Sequence, residues 1–200
     1  MRTRQQAILI LLLAVFALPP LLSWVLFNFT DLGRESGSGE HGTLVVPPRP
    51  VPDWTLAGMP DETATEKRLR GKWTLLYLLD GKCQQACLRN LYKMRQLRLA
   101  TGKYAQRVQR VVLVAGNNRR ALTEEQLQDY PGQLVLFPQN IDADVLQSLF
   151  KLTTDDSPFL QGRLYLVDPQ GNIMMSYAAN TEPGGIIKDL KRLLKYSRSG

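Results

Sequence analysis

Histidine occurs once in this chain of 200 residues, as His41, and cysteine twice, as Cys83 and Cys87. No His/Cys spacing of the zinc-binding kind can be drawn from so few. A Ser–His–acid set is excluded too, since His41 falls in a Gly/Ser-rich stretch that reads as a tether. There is no Gly-rich phosphate loop and no internal repeat. Acidic side chains are missing from one long interval: Gly81 to Thr123 holds ten Lys and Arg but no Asp or Glu. The acids gather instead at 124–129 and 142–156, so the net charge of +7 is unevenly spread. Charge runs are usually solvated faces. The functional alternative is a basic surface beside the cysteines that docks on anionic lipid headgroups or an acidic partner.

What the chain does have is one long apolar run. AILILLLAVFALPPLLSWVLFNF, Ala7 to Phe29, carries no charged side chain. About 20 helical residues cross a hydrocarbon core, so 7–29 predicts a transmembrane helix, with Pro19-Pro20 expected to kink it. The run outlasts a signal peptide's apolar stretch and no small-residue cleavage site follows, which predicts an uncleaved anchor. Arg2 and Arg4 precede it, whereas Asp31, Arg34, Glu35 and Glu40 follow. Cationic flanks stay in the cytoplasm. The expected layout is a cytoplasmic N-terminus (1–6), a single pass through a bacterial inner membrane, and a periplasmic C-terminal domain. An exported domain without a recognition motif leaves no role for nucleic acid.

Residues 30–53 read as a linker, flexible in GRESGSGEHG (33–42) and extended in VVPPRPVPDW (45–54), which has four prolines. Residues 54–196 have the length of one ordinary domain, and 197–200 form a tail. Within the domain, KWTLLYLLD (72–80) and RVVLVAG (110–116) predict buried strands, and QLVLF (133–137) a shorter one. Cys87, Leu91, Met94 and Leu97 recur at three- and four-residue spacing, which predicts a helix over 84–101 ending near Gly102. Thr123 with Gln126 three residues on predicts an N-cap for a helix at 123–130, and a further helix is expected at 142–152. RLYLVDPQGNIMMSYA (163–178) predicts a hairpin, with Pro169 and Gly171 at the second and fourth places of a type I turn. An amphipathic helix is expected at 183–196.

Cys83 then falls in a loop and Cys87 about one turn into a helix, within reach of a disulfide. A helix amino terminus, with Lys82 and Arg89 nearby, favours thiolate, which is both nucleophile and soft-metal ligand. Three readings stay open. A structural disulfide suits an oxidising compartment, although closing so short a loop removes little unfolded-state entropy. Thiol–disulfide exchange usually comes with two intervening residues, not three. Soft thiolates select Cu(I). Met94, Met174 and Met175 offer thioether sulfur, but methionine on an apolar face is usually core filler. Asp155-Asp156 reads as a turn.

Two cysteines between the first buried strand and its helix, with the late YLVDPQGN hairpin, resemble the thioredoxin fold. GKWTLLYLLDGKCQQAC, with its CxxxC spacing, resembles the Sco/SenC branch of membrane-anchored, copper-handling proteins that assist cytochrome c oxidase assembly. The resemblance implies an α/β, thioredoxin-like mixed sheet flanked by helices. It implies copper held by Cys83 and Cys87, with oxidase subunits or other assembly factors as partners beside the inner membrane. Sco-like proteins add a histidine just before the late strand. The matching stretch here, TTDDSPFLQGRLYLVDP, has none: Leu160 stands there by ungapped count and Asp156 by its D-S pair. Thioredoxin-like enzymes carry a cis-proline before the same strand, where Gly162 stands and Pro158 is the nearest proline.

The expectation is an anchored oxidase-assembly protein handling Cu(I) transiently, or acting as a thiol switch, at Cys83 and Cys87. No residue pattern demands turnover chemistry. A periplasmic thiol–disulfide oxidoreductase and a non-catalytic scaffold on the same fold are the alternatives.

Overall fold

The computed structural model describes residues 2–29, 41–52, 56–59, 69–116, 118, 120–139, 141–153, 157–159 and 162–197. They fall into two units, Met1–Gly39 and Glu40–Gly200. The first is one helix, α1 (Arg2–Phe29), which begins ahead of the apolar run and continues through Pro19 and Pro20. Its Arg4–Val25 stretch has mean hydropathy 2.5 and is long and apolar enough to cross a membrane. Leu11, Phe16, Leu18 and Trp24 are all exposed on it, as side chains facing lipid would be.

The second unit is built on seven strands in the order β1-β7-β6-β3-β4-β5-β2. At the centre lies β3 (Trp73–Leu79), with all seven residues buried; a strand covered on both faces needs such a continuous apolar run. It pairs in parallel with β4 (Val108–Val114), which pairs in parallel with β5 (Gln133–Pro138). On its other side are β6 (Leu164–Val167) and then β7 (Asn172–Tyr177), both antiparallel pairings. The turn between them closes with Gly171 N–H donating to the Asp168 carbonyl at 2.9 Å, the bond of a type I turn. The Asp168 carboxylate also accepts from the main-chain N–H groups of Gln170 and Asn172.

Alternating strand residues supply two cores. Leu75, Tyr77, Val112 and Leu166 meet Leu91 and Met94 of α2 (Gln85–Ala100) and Ile186 and Leu190 of α5 (Pro183–Tyr196). On the opposite face Leu76, Leu78, Val111 and Tyr165 meet Leu146 and Phe150 of α4 (Ala143–Phe150). There the Phe150 and Tyr165 rings pack edge to face at 4.9 Å, and the Tyr165 hydroxyl donates to the Phe150 carbonyl at 3.0 Å. α3 (Glu124–Gln128) starts from the expected Thr123 cap, and a 3-10 helix, Gly102–Arg107, links α2 to β4.

The expected linker runs differently. Thr43–Pro50 is an edge strand, β1, paired antiparallel with β7 through Leu44↔Met175 and Arg49↔Ile173. Its register breaks between Leu44 and Arg49, where Pro47 and Pro48 stand; proline lacks the N–H of a ladder and fits an edge or a bulge. Val45 and Val51 are buried, and the Arg49 guanidinium donates to the carbonyls of Leu149 and Lys151 at the C-terminal end of α4. The folded unit therefore begins ahead of residue 54. At the far edge β2 (Leu56–Met59), for which no element was expected, pairs antiparallel with β5.

Candidate functional site

Cys83 and Cys87 form a disulfide with their Cα atoms 5.2 Å apart. Cys83 lies in the loop after β3 and Cys87 in the first turn of α2, as their spacing predicts. No side chain caps α2 at Gln84 and its first turn holds no acid, so the positive end of the helix faces the sulfurs unopposed. Both residues are covered, Cys83 at 7% exposure and Cys87 at 2%.

The loop carrying Cys83 is latched from a second element. Its N–H donates to the Ala121 carbonyl at 2.7 Å, and its carbonyl accepts from Gln126 Nε2 at 3.3 Å. Gln126 is itself fixed by the capping box: its Oε1 accepts from Thr123 N–H while its own N–H donates to Thr123 Oγ1. The sequence signals the cap but not the latch, because the latch joins residues 43 apart. One turn beyond Cys87, buried Asn90 donates from Nδ2 to the Gly162 carbonyl at 3.1 Å. The Tyr77 hydroxyl bonds to the same Asn90; burial pushes Tyr77 above its ordinary pKa, and that bond offsets part of the rise. Gly162 adopts φ +58°, so the place expected of a proline holds a glycine in the left-handed region. Pro158 is buried in the 157–159 segment.

Among the described residues, none of the other candidate positions joins the cysteines. Asp155, Asp156 and Leu160 lie outside the described residues. His41 is not loose: its N–H donates to Asp189 Oδ2 at 2.8 Å, and its Nδ1 lies 3.1 Å from Asp189 Oδ1. The tether assignment of His41 is thereby corrected, for a buried carboxylate on α5 holds it. Met94 is wholly buried in the core, and Met174 and Met175 line a cavity with Trp73 and Leu193. Among the described residues no three His, Cys, Asp or Glu side chains group as metal ligands. Among the described residues the donor set is two sulfurs.

Much of the basic run has structural partners. Lys93 Nζ donates to the Ala179 carbonyl at 2.6 Å; burial lowers its pKa, against which the Glu182 carboxylate acts. Arg98 donates to Val108, and Arg107 to Leu194 and Ser197 at the end of α5. Lys82, Arg89, Lys103 and Arg120 stay exposed.

A central strand leading into a paired CxxxC at a helix start, with an antiparallel hairpin beside it, defines a thioredoxin-like protein. A family model described as "transmembrane-like, thioredoxin-like, C-terminal domain" matches residues 73–197, and the chain belongs to that family. No curated protein sequence matches it. Among solved structures it is similar to yeast Sco1, at 22% identity over 76% of this chain and 97% of that one, TM-score 0.60. It is similar also to copper-bound ScoI of Bradyrhizobium japonicum, at 22% identity over 70% and 96%, TM-score 0.53. A third is BsSco, a Sco-family cytochrome c oxidase assembly protein with a disulfide switch, at 18% identity over 76% and 96%, TM-score 0.55. At these identities the likeness shows the fold.

Proposed function

We propose that this protein is anchored in a bacterial inner membrane by α1 and assists cytochrome c oxidase assembly from the periplasmic side, with Cys83 and Cys87 handling Cu(I) as cargo. The observation that carries the reading is the cysteine pair itself, set at an uncapped helix start in a Sco-like fold. The disulfide must first take up two electrons and two protons from an external dithiol, giving two thiols. Loss of their protons leaves two soft thiolates, which suit Cu(I). A two-sulfur set without histidine holds the ion less securely than a three-donor one, which suits passage rather than storage. α1 and the thioredoxin-like domain support the anchored layout, and Arg2 and Arg4 support a cytoplasmic N-terminus.

The test is an oxygen-free titration of Cu(I) into the reduced full chain in detergent against a competing chelator, with Cys83→Ser alongside. One ion bound per chain, weakened at least about tenfold in the variant, is the expected result. Failure of the reduced protein to compete with the chelator rules out copper cargo. The second reading is a thiol–disulfide switch or oxidoreductase, favoured by the closed disulfide. It predicts exchange with an external dithiol without any copper dependence.

A further inference from the structure

The helical layer on the α2 side of the sheet is almost wholly basic, and α5 contributes to this as much as α2. Together α2, the 3-10 helix and α5 carry ten Lys and Arg and a single acid, Asp189, which is buried and held by His41. The opposite layer differs: α4 has one aspartate, Asp144, and no base. α2 and α5 lie side by side and run the same way. Lys93, midway along α2, donates to the Ala179 carbonyl just ahead of α5. Arg107, beyond the end of α2, donates to the carbonyls of Leu194 and Ser197 at the end of α5. Six of the ten cations are exposed: Arg89, Lys103, Lys188, Lys191, Arg192 and Lys195.

Opposite charges four apart steady a helix and like charges strain it. Here Arg89–Lys93, Lys188–Arg192 and Lys191–Lys195 are all like pairs at that spacing. An anionic surface laid against the layer relieves the repulsion. Apolar groups stand among the cations: Tyr92 and Leu99 on α2 are 56% and 55% exposed, and Tyr196 at the end of α5 is 73% exposed. The acids on this side gather at one end. Glu124, Glu125 and Asp129 are exposed beside the start of α2, where Gln126 and Tyr130 bond to the carbonyls of Cys83 and Leu88, and Glu182 is exposed just ahead of α5. The far ends of both helices, with Leu99, Lys103, Arg192, Lys195 and Tyr196, hold no acid.

We propose that this layer is a docking surface for the anionic phospholipids of the bilayer that α1 enters. The C-terminal ends of α2 and α5 lead, with their lysines and arginines on lipid phosphates and the exposed tyrosine rings at headgroup depth. The cysteine end, flanked by the acids, stays turned away from the lipid. A tether keeps the bilayer at high effective concentration around the domain, an advantage that a soluble acidic protein lacks. The inference shares with the proposed function only the anchoring by α1 and does not depend on copper.

The full chain is placed in nanodiscs of phosphatidylcholine, alone or mixed with phosphatidylglycerol. Its lysines are acetylated with an uncharged N-hydroxysuccinimide ester and read by mass spectrometry. Lys103, Lys191 and Lys195 should react about fivefold more slowly when phosphatidylglycerol is present, while Lys151, at the end of α4 on the opposite layer, keeps its rate. Sodium chloride at about 1 M, where the Debye length is about 3 Å, should restore them. Lys103→Glu with Arg192→Glu abolishes the slowing at Lys191 and Lys195, whereas Arg89→Glu, at the cysteine end, keeps most of it. All three positions are exposed, so the fold survives these changes. Equal rates in the two kinds of disc overturn the proposal and leave the face to an acidic protein. Equal slowing at Lys151 overturns it too, because a charged bilayer would then be acting on every lysine. Loss of the slowing in Arg89→Glu alone overturns the orientation. Co-elution with pure phosphatidylcholine discs reads the anchor separately. A chain that elutes free of them refutes the anchored layout, and its capture by phosphatidylglycerol discs in low salt, lost in Lys103→Glu with Arg192→Glu, then reads the docking alone.

Discussion

Adding one methyl group at Gly185 should undo the attachment of His41, whereas the same group at Gly184 should do no harm. The two glycines are neighbours in the first turn of α5. A Cβ at Gly184 meets nothing within 4 Å, but one at Gly185 would lie 2.5, 2.6 and 2.7 Å from His41 Cγ, Cδ2 and Cβ. Rotation of the side chain would move Cγ and Cδ2, but Cβ is fixed by the backbone, so no rotamer change clears it. His41 must leave, and with it go its main-chain and ring contacts to Asp189, a carboxylate only 2% exposed. A hydrogen bond to a charged group is worth about 1.5–3 kcal/mol. Because His41 is 41% exposed, water reaches the carboxylate once the ring departs, so the loss is nearer one such bond than two. Against it stands the helical preference of alanine, at most about 1 kcal/mol. Gly184→Ala keeps only that gain.

The alanine preference is common to both variants, so they should differ by roughly 1.5–3 kcal/mol. At about 2–4 °C per kcal/mol for a chain of this size, that is roughly 3–12 °C between their melting midpoints. Circular dichroism of the full chain in detergent reads it directly. In a His41→Gly background, which removes all three crowding atoms, Gly185→Ala should cost clearly less than it does beside His41, which isolates the contact. If Gly185→Ala melts with Gly184→Ala while His41 is present, the seating of His41 on α5 is wrong.

Three further outcomes are expected. Gln126→Ala removes half of the capping box and the latch on Cys83, so it should lower stability by about 1–2 kcal/mol in urea unfolding and speed reduction of the disulfide by dithiothreitol. Tyr77 has its pKa raised from the ordinary 10, so the folded state keeps a proton that the unfolded chain gives up near that pH. Its contribution is complete below pH 10 and is lost as pH rises through the raised folded value; urea midpoints at pH 9 and 11 (about one unit either side) should fall less steeply in Tyr77→Phe. Tyr165→Phe keeps the edge-to-face packing on Phe150 and loses the 3.0 Å bond to its carbonyl, a loss of about 1 kcal/mol by thermal melting.

The elements legible in the sequence are those whose evidence is local. The apolar run of β3, the three- and four-residue spacing from Cys87 to Leu97, the Thr123–Gln126 box and the Pro169–Gly171 turn each lie within one short window. β1 escapes such reading because prolines 47, 48 and 50 hold an extended backbone whether or not it pairs. Pairing is decided by Leu44 meeting Met175 and by the burial of Val45 and Val51. His41 escapes for the same reason, since its partner is 148 residues away.

The candidate site divides along the same line. Two sulfurs one helical turn apart are written in CxxxC, and a stretch that short also fixes their place at the helix start. What separates a cargo site from a static crosslink is how readily the disulfide opens. That depends on the cover over Cys83 and on the two bonds that hold its loop. Both bonds come from the 121–126 segment, one from a main-chain carbonyl at Ala121 and one from a side chain at Gln126. A carbonyl contact leaves no mark on the residue that supplies it, and Gln126 is already accounted for by its cap. The reactivity of the pair is therefore set by residues whose sequence signal points to something else, and changes at Gln126 should tune the cysteines more than changes among the three residues between them.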